Sequence, residues 1–384
     1  MKKGWEARRI GDVCSLMTGG TPSRSKPEYF GGDVKWLVSG DIHQGEIFDC
    51  EGRITQEGLS NSNAKLLPVN SVMIALNGQG KTRGTVALLR MEATCNQSLV
   101  SIFPNDPKVL LPEFLFTNLH GRYEEIRKMT GDSGNDRRGL NMPLIRGIEI
   151  PIPPLPEQKR IVGILDEAFA GIATARANAE KNLENARALF ESHLNQVFTQ
   201  RGEGWVEKKV NELSENLDRQ RIPITKSKRK SGEYPYYGAS GIVDYVDDYI
   251  FQGDTLLVSE DGANLLMRST PIAFSVSGKY WVNNHAHILK FAEMATQKFV
   301  EFYLESIPLD EYVTGAAQPK LNQRALNSIP IFIPEKIGGR AEIVAFIQDM
   351  KAETQRLESI YRQKLDELDA LKKSLLDRAF KGEL

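Results

Sequence analysis

The sequence predicts an α+β chain in which two globular domains are separated by two long antiparallel coiled-coil helices, with a pseudo-two-fold internal repeat. Three observations predict it. Apolar residues recur in alternating steps of four and three through residues 155–200 and again through 341–380, the 3.5-residue period of a coiled-coil seam. One offset of 182 positions carries the first stretch onto the second, taking Ile161-Val162 to Ile343-Val344, Leu165 to Ile347, Leu183 to Leu365, Leu189 to Leu371, Leu194 to Leu376 and Phe198 to Phe380. The segments ahead of these stretches repeat as well. Gly4-Trp5 returns as Gly204-Trp205, Ser39-Gly40 as Ser240-Gly241, Thr130-Gly131 as Thr314-Gly315, and Leu140-Asn141 as Leu321-Asn322.

The order is therefore module (1–153), rod (154–200), module (201–336), rod (337–384). In the first module, residues 5–18 read as a strand or a short helix. A polar loop follows, Thr18-Gly19-Gly20-Thr21-Pro22-Ser23-Arg24-Ser25-Lys26-Pro27. Apolar runs at 34–38, 71–76, 85–89 and 99–103, separated by turn residues, predict strands. Residues 112–127 predict a helix with Phe114, Leu115, Leu119 and Tyr123 on its apolar side. Ile150-Pro151-Ile152-Pro153 leads into the first rod. Pro153 and Pro154 forbid helix before it, Pro156 suits its first turn, and Gly202 and Gly204 end it. Its seam is Ile161, Leu165, Ala168, Ile172, Ala175, Ala179, Ala186 and Leu189. About forty residues at 1.5 Å rise make a rod of roughly 60 Å. The second module, about twenty residues shorter, predicts strands at 242–246, 255–258, 272–276 and 287–291 and a helix at 297–306. Ile329-Pro330-Ile331 and Ile333-Pro334 precede the second rod, with seam positions Ile343, Ile347, Met350, Leu357, Leu368 and Leu371. Unlike modules on matched rods suggest two different readings held at one spacing.

With 384 residues, 41% hydrophobic and 26% charged, the chain has the balance of a soluble protein with room for two modules and their rods. Cys14, Cys50 and Cys95 are odd in number and scattered, so they read as reduced, buried thiols without a disulfide framework or zinc spacing. The start, MKKGWEARRIGDV, has no apolar run behind its lysines, and no stretch approaches membrane-spanning length. A cytoplasmic chain with no membrane partner is expected.

Most motifs that suggest chemistry fail on spacing. Gly78-Gln79-Gly80-Lys81-Thr82 resembles the end of a phosphate loop, but Ala75 stands where the first glycine belongs. The segment after it, Arg83-Gly84-Thr85-Val86-Ala87-Leu88-Leu89, reads as a strand rather than the helix such a loop needs. A hairpin turn exposing amides and cations is the better reading. His285 and His287 share a strand face but lack a third ligand, so packing or hydrogen bonding is expected and no metal site. No catalytic residues are identified: no serine–histidine or paired-carboxylate arrangement follows from spacing, nor a site for a methyl donor.

What remains is a distribution of cations and amides in loops. Arg219, Arg221, Lys226, Lys228, Arg229 and Lys230 fall in a dozen residues without an acid, with Tyr234, Tyr236 and Tyr237 just beyond. The first module offers Arg24 and Lys26, then Gln79, Lys81 and Arg83, then Asn135, Arg137 and Arg138; the second adds Gln318, Lys320, Gln323 and Arg324. Arginine suits guanine edges, Asn and Gln suit adenine, and lysine serves phosphates. Each residue alone is equally a member of a solvated face; for the 219–230 cluster phosphate contact is preferred. These residues are the candidate DNA contacts.

At this point the chain resembles a known family, the specificity subunits of type I restriction-modification systems. The likeness covers essentially the whole length. It rests on the repeat, the paired rods, the run Ile152-Pro153-Pro154-Leu155-Pro156-Glu157-Gln158 leading to Ile161, and the ending Ser374-Leu375-Leu376-Asp377-Arg378-Ala379-Phe380-Lys381-Gly382-Glu383-Leu384. The resemblance implies two target recognition domains, each reading half of a split site in double-stranded DNA. It further implies that the coiled coil fixes the gap and docks two methyltransferase subunits, and through them the restriction subunits. It implies no chemistry and no cofactor in this chain, with S-adenosylmethionine, Mg2+ and ATP expected on the partners. Pro156, Glu157 and Gln158 are candidate docking residues.

One departure stands out. The same offset of 182 sets Gly338-Gly339-Arg340 opposite Pro156-Glu157-Gln158, so a looser first turn is expected in the second rod, and unequal docking sites if that run seats a partner. Antiparallel rods would place unlike modules about one duplex turn apart on one side of DNA, reading an asymmetric site. The formal charge of −1 fits a chain that supplies loops and register while partners supply phosphate-binding charge. Two rivals are a coiled-coil scaffold that never touches DNA and a nucleotide-binding enzyme using residues 78–82.

Overall fold

The computed structural model describes residues 4–78, 80–130, 139–315 and 318–384. The chain divides into two compact units, Met1–Asn178 with Lys364–Leu384, and Ala179–Gln363. Each unit therefore combines one module with the beginning of one long helix and the end of the other.

The first unit contains β1 (Glu6–Arg9), β2 (Cys14–Thr18), β3 (Phe30–Leu37), β4 (Val72–Ala75), β5 (Val86–Leu89), β6 (Leu99–Pro104), α1 (Pro112–Gly121), α2 (Met142–Gly147) and β7 (Glu149–Ile152), and the start of α3 (Leu155–Thr199). The second contains β8 (Trp205–Lys209), β9 (Ser214–Asn216), β10 (Ser231–Gly238), β11 (Gly241–Val246), β12 (Thr255–Ser259), β13 (Ala273–Val276), β14 (Lys279–Val282), β15 (Ala286–Phe291), α4 (Met294–Ser306), α5 (Gln323–Ser328) and β16 (Pro330–Pro334), and the start of α6 (Ile337–Lys381).

The repeat seen in the sequence is a repeat of topology. The antiparallel strands β2-β6-β4-β5 of the first unit, whose sheet is extended past β5 by the short parallel strand Glu46–Ile47, have their counterpart in β9-β15-β12-β13 in the second. All four residues of β4 are buried because both faces are covered. Val72 and Ile74 point to a core with Phe114, Leu115, Ile161, Leu165 and Leu376, while Met73 and Ala75 pack with Leu37, Ile42 and Ile47 on the other side. In the second unit Leu256 and Val258 meet Phe299, Leu194 and Ile347, and Leu257 meets Tyr280 and Val282. Alternate residues of one strand thus serve two cores.

Several echoed pairs have direct causes. Leu140 and Leu321 are buried, and the asparagine after each caps a short helix. Asn141 Oδ1 accepts the Leu144 amide at 3.0 Å and Asn322 Oδ1 the Ala325 amide at 2.9 Å. The proline-rich runs before the rods are strands: β1 pairs with β7 (Ala7 opposite Pro151) and β8 with β16 (Lys209 opposite Pro330). Two-stranded ribbons tolerate proline because its missing N–H need not face a neighbour. First and last strands of each module are thereby tied together just ahead of its long helix.

Residues 5–18 form neither one strand nor one helix, but a strand, the turn Ile10–Val13 and a second strand. The helix expected over 112–127 is interrupted, with α1 ending at Gly121 and a separate turn Tyr123–Lys128 following. At the break the long helix comes close: a Cβ on Gly121 would sit 3.1 Å from Leu376.

Within each unit the long helices run antiparallel. In the first, the Arg160 guanidinium donates to the Leu384 carbonyl at 2.7 Å and Arg176 pairs with Asp369. In the second, Arg187 pairs with Glu358 at 2.7 Å, and Leu194 and Phe198 share a core with Val344 and Ile347. The seam residues Ile161, Leu165, Ile172 and Ile347 are buried; Ala168, Ala175, Ile343, Met350, Leu357 and Leu368 are half-buried. Leu189 and Leu371 are not seam residues, at 60% and 47% exposure. Seven residues of an α-helix fall about 20° short of two full turns, so four heptads beyond Ile161 and Ile343 the inward face has moved on by most of a residue. Phe190 and Lys372 take those places, Phe190 against the second unit's core and Lys372 over the Phe169 ring at 5.0 Å.

The start of α6 is not loose. Arg340 donates to the carbonyls of Pro334 (2.8 Å) and Glu335 (3.0 Å) and to Thr296 Oγ1 (2.8 Å), and Gly339 lets the helix approach Pro334. Cys14, Cys50 and Cys95 are free and buried. Among the described residues no helix is long and apolar enough to cross a membrane.

Candidate nucleic-acid interface

In the second unit the basic segment between β9 and β10 is held to the module at alternating points. The carboxylate of Asp218 accepts the Ile288 amide at 2.9 Å and hydrogen-bonds His287 Nδ1 at 2.5 Å, while His287 Nε2 donates to the Leu321 carbonyl. Arg221 donates to Glu260 (2.6 Å) and to the Ala286 carbonyl (2.8 Å). Trp281 Nε1 donates to the Ile222 carbonyl, and the Ile224 amide donates to the hydroxyl of Tyr236. Arg229 pairs with Asp244 at 3.1 Å and lies 4.4 Å over the Tyr236 ring.

This divides the six cations. Arg221 and Arg229 are internal staples, removed from the candidate DNA contacts because their guanidinium groups are spent on carboxylates inside the module. Arg219, Lys226, Lys228 and Lys230 project from the stapled segment and are exposed. Tyr236 is fully buried, and its hydroxyl serves the loop; Tyr237 packs on Phe274 and Tyr280. The Tyr236 ring is closed to a base, and the Tyr237 ring is half-buried.

Glu260 gathers a second segment. Lys320 approaches its Oε1 at 3.1 Å while Arg221 holds Oε2, and the Leu321 amide donates to its carbonyl. Burial pushes the Glu260 carboxyl up, but Arg221, His287 and Lys320 together hold it below the usual range. Segments about a hundred residues apart in sequence, 219–221 and 318–324, thus meet at one buried carboxylate. Gln318 and Arg324 are exposed there, whereas Gln323 is occupied with Asn216 at 2.7 Å. His285 pairs with Asp261 at 2.9 Å, so both histidines are used in hydrogen bonding. Among the described residues no cluster of His, Cys, Asp and Glu is arranged to hold a metal.

In the first unit, Lys81 is exposed on the connection between antiparallel β4 and β5. Among the described residues, the element that follows it is the strand β5 and not the helix that would complete a phosphate loop. The connection is braced by Tyr123, whose hydroxyl donates to the Lys81 carbonyl at 3.3 Å, and by Arg127, which donates to the Gly80 carbonyl at 2.5 Å. Arg83 is buried and leaves the candidate set. Arg24 and Lys26 are exposed, with Lys26 donating to the Tyr29 hydroxyl at 2.8 Å. Gln79, Asn135, Arg137 and Arg138 lie outside the described residues.

The sequence profile of the type I restriction modification DNA specificity domain matches residues 2–185 and 202–367, once over each module and the first part of its rod. This chain belongs to the type I restriction-modification specificity family. The EcoprrI specificity subunit of Escherichia coli is 26% identical over 378 residues, 92% of this chain and 90% of that one. The EcoR124I/EcoR124II specificity subunit of Escherichia coli is 27% identical over 196 residues, and this alignment spans 50% of the chain but only 48% of the relative's length. A chain from a structure of complex assembly and conformational transition in a type I restriction-modification system covers 100% of this chain and 99% of its own length. Its TM-score is 0.80 at 16% identity, a likeness of fold.

For this specificity-family chain the expected docking run needs a correction. Gln158 is fully buried: its Oε1 accepts the Leu111 amide at 2.8 Å, and its Nε2 donates to the carbonyls of Val109 (2.7 Å) and Pro153 (2.8 Å). It fastens α3 to its own module, where both ends of its amide are used. Pro156 is exposed, and Glu157 pairs with Arg160 at 2.6 Å.

Sequence reasoning missed the staples and braces because it cannot say which cation of a run has a distant carboxylate waiting. It also missed Ile242, Val243 and Tyr245 on β11, exposed at 48%, 55% and 49%. Their β-branched and aromatic character reads as buried strand.

Proposed function

We propose that this chain is the DNA-specificity subunit of a type I restriction-modification complex. It is non-catalytic, and each unit contacts one half of an asymmetric, bipartite site in double-stranded DNA. The observation that carries this reading is the pairing of two topologically equivalent but differently decorated modules with two antiparallel helices of 45 residues each. A repeated scaffold with unlike loops suits recognition of two different half-sites. The exposed, stapled cations Arg219, Lys226, Lys228 and Lys230, with Arg24, Lys26, Lys81, Lys320 and Arg324, supply phosphate contacts, and Gln318 is a further polar contact. The long helices set the spacer between half-sites. They also carry two methyltransferase subunits, through which restriction subunits join, in the cytoplasm. S-adenosylmethionine, Mg2+ and ATP belong to those partners.

With a formal charge of −1 the chain alone binds duplex weakly and with strong salt dependence. The decisive experiment is mapping of methylated positions in host DNA with and without two heptads inserted at matched positions of α3 and α6. The expected result is a longer spacer between unchanged half-sites. An unchanged spacer refutes the ruler role, and no dependence of methylation on this chain refutes the whole reading.

A further inference from the structure

β11 is the outer strand of its sheet, bonded only to β10 in the order β11-β10-β14. A regular strand buries every second residue. β11 does not, because its pairing with β10 slips between Tyr236 and Tyr237: Asp244 lies opposite Tyr236 and Ile242 opposite Tyr237, leaving Val243 as an extra residue. Such a bulge twists the strand and redirects its side chains. Ile242 and Val243 therefore both face outward, and Tyr245 with them. An exposed apolar edge invites nonspecific strand addition unless a partner covers it.

The surroundings say what the cover is. The basic segment runs along this strand, since the Lys230 carbonyl accepts the Asp247 amide at 3.1 Å and Arg229 pairs with Asp244. Asp244, the one carboxylate on β11, is neutralised by that pair, and the Arg229 and Tyr245 hydrogen bonds hold it below the usual carboxylate range. Asp247 and Asp248 come only after the strand ends. The exposed cations of the part of the segment that runs along this strand are Lys226, Lys228 and Lys230, with Arg219 exposed further back in the same segment. An occupant that is anionic outside and apolar within reach is a duplex: phosphates flank a major groove roughly 12 Å wide, which admits a two-stranded ribbon and displays the thymine methyl group.

We propose that the outward edge of β11, through Ile242, Val243 and Tyr245, is the base-reading element of the second unit. It recognises thymine-containing base pairs by apolar contact with their 5-methyl groups, while Arg219, Lys226, Lys228 and Lys230 grip the flanking phosphates. This rests on the reading that the chain binds duplex DNA, and the test separates the two.

The full-length chain is used at low salt to select from a randomised duplex pool, and the retained DNA is sequenced. Ile242→Ala, Val243→Thr and Tyr245→Ala are compared with the wild type after circular dichroism melts confirm folding; Val243→Thr keeps shape and β-propensity should the larger truncations unfold. The expected result is loss of an A·T preference at one or two positions in one half of the motif, with the other half kept. Deoxyuridine in place of thymidine at those positions should weaken wild-type binding by on the order of tenfold and leave Ile242→Ala indifferent. Folded variants that select the wild-type motif unchanged overturn the proposal while leaving DNA binding intact. A wild-type chain that selects no motif, or Lys226→Glu with Lys228→Glu binding every duplex as before, overturns both. Competition between duplex and anionic lipid vesicles for this edge, with no motif altered, assigns the surface to a membrane and also overturns it.

Discussion

Arg340 occupies in the second unit the place that Gln158 occupies in the first: each reaches from the first turns of a long helix to a proline carbonyl at the end of the preceding strand, Pro334 or Pro153. Each also reaches the start of its module's principal helix, Arg340 through Thr296 of α4 and Gln158 through Val109 and Leu111 ahead of α1. Two residues with no chemical likeness solve one geometric problem.

Gln158→Ala should therefore destabilise the first unit by about 2–4 kcal/mol, because it strands one buried amide hydrogen and two carbonyls. Calorimetry should show a melting transition lower by several degrees, at roughly 2–4 °C per kcal/mol for a body of this size. Arg340→Ala should act the same way on the second unit but less, since part of that site meets solvent. No shift in either variant would mean the helix starts are held by apolar contacts alone.

The two classes of leucine on the rods should respond differently. Leu165→Ala removes a fully buried side chain and should cost about 2–5 kcal/mol. Leu189→Ala and Leu371→Ala should stay within about 0.5 kcal/mol, as surface changes do. Urea denaturation of the three variants checks this directly.

Burial pushes the thiols of Cys14 and Cys95 up to about 12, and burial raises that of Cys50 as well. At pH 8 almost no thiolate forms on Cys14 or Cys95, so iodoacetamide should leave both unlabelled in the native chain and label all three in denaturant. Rapid native labelling of Cys14 or Cys95 would contradict the burial described.

Acid should unpick the second unit at Asp218. Burial pushes its carboxyl up, yet the His287 hydrogen bond and charge, the Ile288 amide and Arg221 hold it below its ordinary value. A lowered carboxyl contributes stability above the unfolded-state value near pH 3.9 and loses it as pH falls through the folded-state value. Asp218→Asn should thus be clearly less stable than the wild type at pH 7, and the gap should narrow below about pH 4. A gap of constant size across that range would show that charge at this position is irrelevant.

Much of the architecture could be read from residues alone. The 182-residue offset of Ile161 and Ile343, the echo of Leu140-Asn141 in Leu321-Asn322, and the apolar runs that became β4, β5, β6 and β12 all carry local signals. What could not be read depended on distant partners. Arg221 and Arg219 stand two positions apart in one basic run, but only Arg221 meets Glu260. Tyr236 and Tyr245 look alike in sequence, yet one is in the core and the other on an edge. Leu189 satisfies a heptad count that the real helix, at 3.6 residues per turn, has already left behind.

The division of the long helices between units has a consequence for how the chain is made. The first unit includes Lys364–Leu384, whose Leu376 and Ala379 complete the core around Phe114 and Ile161. On a ribosome adding about 5–20 residues per second, the first-made module waits roughly 10–40 s for its last structural piece. The second unit, Ala179–Gln363, lies wholly within that interval and has all its parts earlier. The half made later therefore has all its parts first, and until residues 364–384 are made the amino-terminal half is left with an uncovered apolar face.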